Sequence, residues 1–71
     1  MNNFSGCKVG DMVEFTYPSE NHNFEQRKGI VENVAIGKDG MEFATIVTQP
    51  SGRYKNFRAD KLSSEVTIIP Q

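Results

Sequence analysis

The sequence predicts an all-β domain: a five-stranded, strongly bent small barrel with one short helical turn before the last strand. Three observations carry that expectation. Apolar and polar residues alternate in short runs, turn-forming residues separate those runs, and 71 residues leave room for a single core.

In the first run, Val13, Phe15 and Tyr17 alternate with Met12, Glu14 and Thr16, the period of two expected of a half-buried strand. Pro18 has no backbone N–H to offer a neighbouring strand and is expected to end it. From Pro18 to Gln26 the chain is polar apart from Phe24, which reads as a loop long enough to carry function. The second strand, Arg27 to Ile36, is rich in β-branched residues, and its alternation changes phase between Val31 and Val34, as a bulge or strong bend would require. Gly29 at its start fits the close approach of another backbone. Gly37-Lys38-Asp39-Gly40 then supplies the positive φ angles of a tight hairpin.

Met41 to Thr48 is apolar on both faces, with Phe43, Thr45 and Val47 on one and Ala44 and Ile46 among those on the other, so it is expected to be central. Gln49-Pro50-Ser51-Gly52 places proline where a type I turn presets φ, which predicts a second hairpin. Arg53 to Arg58 reads as a short strand, Ala59 to Ser64 as one helical turn, and Glu65 to Ile69 as the last strand before Pro70. Residues 1–8 read as an N-terminal tail and residues 9–70 as one domain. Its expected core is Val13, Phe15, Ile30, Val31, Val34, Phe43, Ile46, Val47, Phe57, Leu62, Val66 and Ile68.

With 37% hydrophobic and 24% charged residues, and 8 Lys+Arg against 9 Asp+Glu, the composition is that of a soluble folded module. No run approaches the roughly 20 apolar residues of a membrane span. The start, Met1 to Cys7, lacks the basic cluster and apolar stretch of a signal peptide, so a cytoplasmic location without membrane contact is expected. Asn3-Phe4-Ser5 matches a glycosylation sequon, which without secretion has no consequence.

The chemistry available is limited. Cys7 is the single cysteine, which excludes an internal disulfide and a thiolate pair for structural zinc; Lys8 beside it would modestly lower its pKa. His22, the single histidine, lies in a polar run and reads as a solvated residue, so a Cys–His nucleophile needs the fold to bring the two together. Glu14, Glu32 and Glu42 fall one per strand, which suits solvation better than acid–base work. Gly37 to Gly40 lacks the spacing of a phosphate-binding loop. No catalytic residue, metal or cofactor is therefore expected, and the chain reads as a binding module rather than an enzyme.

Charge is unevenly distributed: residues 1–26 carry a net −3 and residues 27–71 a net +2. Within the latter, Gln49 to Leu62 holds Arg53, Lys55, Arg58 and Lys61 against Asp60 alone. Tyr54 and Phe57 are interleaved there, the composition of a surface that contacts phosphates and stacks bases. If Phe57 is core, Tyr54, Asn56 and Arg58 form an exposed trio while Arg53 and Lys55 tend inward at an edge. The candidate binding residues are Tyr54, Asn56, Arg58, Lys61 and Arg53, with Phe24 in the first loop. The plainer alternative is a solvated face on which Tyr54 shields the barrel.

Val9-Gly10-Asp11-Met12-Val13-Glu14-Phe15, followed by Lys28-Gly29-Ile30-Val31-Glu32-Asn33-Val34, resembles the opening of SH3-like small barrels of the KOW and Tudor kind. These begin with a glycine–acid pair, a strand, and a second strand of Gly-x-Val type. Arg53 to Leu62 is similar to the last part of WYL domains, where Arg-x-Phe-Arg-x-Asp-Arg/Lys-Ile/Leu recurs. The resemblance implies an SH3-like or Sm-like barrel. It also implies basic residues facing a nucleic-acid or nucleotide ligand, by position Arg58 and Lys61, and less directly Arg53. The chain departs from the WYL pattern at Met41-Glu42-Phe43, where a Trp-Tyr-Leu tripeptide would stand.

Two functions are thus expected. The first is a nucleic-acid or nucleotide-binding module in a regulatory or accessory role. The second is a protein-interaction module, an adaptor or phage-type inhibitor docking on a larger enzyme or transcription complex. The near-neutral charge favours the latter, and Tyr54 and Arg58 are residue types that anchor protein interfaces.

Overall fold

The computed structural model describes residues 3–70. Its elements are β1 (Met12–Pro18), β2 (Phe24–Ile36), β3 (Glu42–Thr48), β4 (Tyr54–Arg58), a 3-10 turn (Ala59–Lys61) and β5 (Thr67–Ile69). The five strands form one antiparallel sheet in the order β4-β3-β2-β1-β5. Among the described residues no helix is long and apolar enough to cross a membrane.

The sheet is strongly curled. The ring of Phe57 on β4 lies 5.0 Å from that of Phe15 and 4.9 Å from that of Tyr17, both on β1. Three strand spacings in a flat sheet would put β1 and β4 roughly 14 Å apart. Hydrogen bonds tie the far ends together. The backbone N–H of Arg58 donates to Tyr17 Oη at 3.1 Å, that of Ser63 to the Thr16 carbonyl at 2.9 Å, and that of Thr16 to Ser64 Oγ at 2.9 Å. The link after β4 therefore occupies the part of β1 that β5, paired only with Met12 to Glu14, does not reach.

The enclosed face is built from Val13, Phe15 and Tyr17 of β1, Val31 of β2, Ala44 and Ile46 of β3, and Phe57 of β4. Ala59 and Leu62 close it at one side. The stretch read as a tail adds to this core: Phe4 is fully buried, its ring 5.6 Å from that of Phe15, and its backbone N–H donates to Glu42 Oε1.

Several expected core residues lie elsewhere. Ile30, Phe43 and Val47 occupy the outer face and are half-buried, because Ala44 and Ile46 take the inner positions of β3. Ala44 sits directly across from Phe57, where a methyl leaves room for the ring. Val34 and Val66 are partly buried against the core, and Ile68 is exposed.

The predicted punctuation matches. Pairing slips between Val31 and Asn33, the bulge that the change of phase requires. A Cβ on Gly29 would lie 2.5 Å from both Ile46 Cγ2 and the Val47 carbonyl oxygen, so no larger residue fits without a shift of backbone. In the turn between β2 and β3, Gly40 adopts φ +79° and Asp39 Oδ1 accepts the Met41 N–H at 3.0 Å. In the next hairpin, the Thr48 N–H donates to the Arg53 carbonyl at 2.8 Å, and the Gln49–Pro50 peptide is cis.

The first loop is shorter than its polarity suggests. Phe24, Glu25 and Gln26 pair with Pro18, Tyr17 and Thr16, and only residues 19–23 turn. The Ser19 N–H donates to the Asn23 carbonyl at 2.7 Å, with His22 in the left-handed region at φ 66°. This hairpin projects past β3, whose pairing with β2 begins at Gly29. Residues 20–26 are all exposed, so no apolar period marks the start of the strand.

Candidate functional site

The projecting hairpin creates the site. Residues directly opposite in an antiparallel pair share a face, so Arg27, across from Phe15, and Glu25, across from Tyr17, point inward over the open end of the barrel. Lys55 stands two residues before Phe57 on β4 and shares its side. Both cations reach the Phe57 ring: Arg27 Cζ lies 6.0 Å and Lys55 Nζ 5.6 Å from its centroid. The π-face of an aromatic ring attracts such groups electrostatically.

Around them opens a groove of about 1070 Å³ between the β1–β2 hairpin, β4 and the segment after the 3-10 turn. Its walls include Phe24 and His22 on the hairpin side and Lys55, Lys61 and Ser63 on the other. Phe24 is 70% exposed, a free ring at the rim. Three cations, Arg27, Lys55 and Lys61, meet two carboxylates, Glu20 and Glu25. Arg27 Nη2 is 3.4 Å from Glu25 Oε2, while its Nε is buried with no hydrogen-bond partner. Such a groove can receive an anionic group among the cations and stack a planar one on the rim.

The six residues singled out in the sequence fall into separate places. Phe24 and Lys61 line the groove. Tyr54, Asn56 and Arg58 are exposed on the outer face of β4, as the strand period requires, and do not line it. Arg53 is exposed in the turn before β4. Asn56 Oδ1 accepts the Thr45 hydroxyl at 2.6 Å.

Arg58 is held by two carboxylates. Its Nε and Nη2 donate to the Asp60 carboxylate at 3.1 Å each, and Nη2 lies 3.1 Å from Asp39 Oδ2. The hydrogen bond from Arg58 holds the Asp60 carboxyl below its ordinary range. The Met41 N–H, then Arg58, do the same for Asp39, and Asp60 in turn raises the Arg58 pKa. Both carboxylates compete with any phosphate for this guanidinium.

The inward Lys55 follows from its two-residue spacing to Phe57. Arg27 escapes sequence reasoning as a binding residue because it stands at the expected start of its strand, and Tyr17 because, outside the expected core, it reads only as one of the alternating residues before Pro18. Cys7 corrects another expectation: desolvation by burial raises its pKa, with Asp11 and Glu42 acting in the same direction, and this outweighs any effect of neighbouring Lys8. Cys7 packs against the core while exposed His22 sits in the hairpin turn, so the fold does not assemble a Cys–His pair. Among the described residues no cluster of three His, Cys, Asp or Glu side chains is arranged to hold a metal.

Comparison with known protein families, characterised proteins and solved structures gives no match to this chain.

Proposed function

We propose that the protein is a non-enzymatic binding module whose barrel mouth takes a nucleotide or a single-stranded nucleic acid. The observation that carries this reading is the convergence of Arg27 and Lys55 on one aromatic ring, at 6.0 and 5.6 Å, with Lys61 in the same groove. Cations gathered in one groove favour an anion there, and Phe24 at the rim offers a surface for a base. The resemblance of residues 53–62 to WYL domains supports the same ligand class, with Lys61 the matching position that falls in the groove.

Fluorescence anisotropy with labelled oligonucleotides and nucleotides at low salt tests the proposal. Binding should weaken steeply as salt rises, because phosphate contacts release counterions. Lys55→Ala with Lys61→Ala should weaken it by about tenfold or more, in line with charge-assisted contacts, while Tyr54→Ala and Arg58→Ala leave it nearly unchanged. Absence of binding at high micromolar protein overturns the proposal.

A second reading, a protein-interaction module, is favoured by the near-neutral charge and by the carboxylates that already neutralise Arg58. A partner retained from nuclease-treated lysate, and lost on mutation of the mouth, would support this reading over the first.

A further inference from the structure

We propose that the outer face of the sheet, opposite the core, is where two copies of this chain associate. Strand register places Ile69, Met12, Ile30, Val47 and Tyr54 side by side, one from each strand in the order β5-β1-β2-β3-β4. Their flanking neighbours Val13, Val31 and Ile46 point into the core, so the five share the outward face. The outer face of an antiparallel sheet is ordinarily polar. Here an apolar row follows the curl of the sheet across all five strands, with Tyr54 exposed and the other four half-buried. Isolated surface apolar residues are ordinary, whereas a contiguous row marks an interaction surface.

The adjacent row identifies the occupant. Glu14 and Lys28 lie directly across from each other on the same outward face, one pair further along β1 and β2 from Met12 and Ile30. The ion pairs among the described residues are Arg27–Glu25, Arg58–Asp39 and Arg58–Asp60, and neither Glu14 nor Lys28 takes part in one of them. A two-fold axis parallel to the strands, midway between β1 and β2, exchanges the two strands between copies. It sets Met12 against the partner's Ile30 and Glu14 against the partner's Lys28, on the part of the convex face nearest the axis, with Ile69 and the partner's Val47 flanking the contact. Apolar groups then meet apolar groups, and each charge meets its opposite twice. This self-complementarity is what an isologous interface requires. With one charge of each sign, the pair offers a polyanion no net attraction. The row is on the opposite side of the sheet from the inward Arg27 and Lys55, so the association does not require a ligand at the mouth.

Sedimentation equilibrium on the full chain, from micromolar to millimolar concentration, tests the proposal. A monomer–dimer equilibrium is expected, of modest strength for so small a face. Glu14→Lys and Lys28→Glu should each weaken the dimer by about tenfold or more, since each places like charges together twice. The double swap, carrying both changes, should restore it. Val47→Lys should abolish the dimer while circular dichroism stays that of the folded chain. A monomer throughout the range, a dimer indifferent to these changes, or a double swap that fails to restore association overturns the proposal. So does a monomer that captures a different protein through this face.

Discussion

The phenolic oxygen of Tyr17 accepts a hydrogen bond from the backbone N–H of Arg58 at 3.1 Å, joining two strands that are 41 residues apart in the chain. Tyr17 belongs to β1 and Arg58 ends β4, so this bond fastens the curled sheet where no ladder joins them. It also fixes the Tyr17 ring against Phe57, 4.9 Å away and nearly perpendicular, on the wall of the candidate groove.

Replacing Tyr17 by Phe keeps the ring and removes the acceptor, leaving a partly buried N–H without its partner. Such a loss costs about 1 kcal/mol. In a domain of this size that lowers Tm by roughly 4–8 °C. Thermal unfolding followed by circular dichroism measures it. An unchanged Tm would show that the bond adds nothing to the closure.

Phe57 and Phe43 should respond differently to truncation. Phe57 is fully buried and contacts two other rings, so Phe57→Ala should cost about 3–5 kcal/mol and bring the domain close to unfolding. Phe43 is half-buried on the outer face, so Phe43→Ala should cost less than about 1.5 kcal/mol. Urea titration of the two variants measures the difference. Comparable losses would place Phe43 in the core after all.

That pair shows what the sequence makes legible. Alternation separates the two faces of β3 correctly, but with apolar residues on both it does not say which face is inward. That choice depends on Ala44 lying across from Phe57, a fact of tertiary register. The bulge after Val31, the close approach at Gly29 and both later hairpins were legible because each rests on local backbone chemistry. The mouth was only half legible. Lys55 could be placed from its spacing to Phe57, whereas Arg27 stands at the expected start of its strand, and residues 24–26, which carry that strand on into the ribbon, read as loop. Arg58 looked like a free cation because Asp39, its second partner, arrives from a different hairpin.

The Arg58 cluster predicts an acid-side effect of definite sign. Asp60 and Asp39 both titrate below their ordinary value of 3.8 in the folded chain, through the hydrogen bond from Arg58 in the first case and the Met41 N–H, then Arg58, in the second. Their contribution to stability is complete above that value and is lost as pH falls through the lowered folded values. The pairs are solvent-exposed, so the effect is small and screened by salt. In low salt Arg58→Ala should lower Tm slightly at neutral pH, and the difference should shrink as pH falls below 3.8 through the lowered folded values. A difference that persists in acid would assign it to packing of the Arg58 stem instead.

Cys7 provides the last test. Burial first, then the nearby charges of Asp11 and Glu42, raise its pKa above the ordinary 9.0. Between that value and the raised one, the folded thiol keeps its proton while the unfolded thiol ionises, so raising pH through this window favours the unfolded chain. The thiolate is the nucleophile. At about pH 8 iodoacetamide should therefore modify Cys7 several-fold more slowly in the native protein than in denaturant, where burial and both carboxylates are gone. Mass spectrometry of quenched samples gives the two rates directly. Equal rates would mean that the thiol is freely solvated and that the N-terminal segment, with Phe4 three residues earlier, does not dock on the core as described. The reactivity of one cysteine thus tests whether residues 3–8 are part of the fold or a tail.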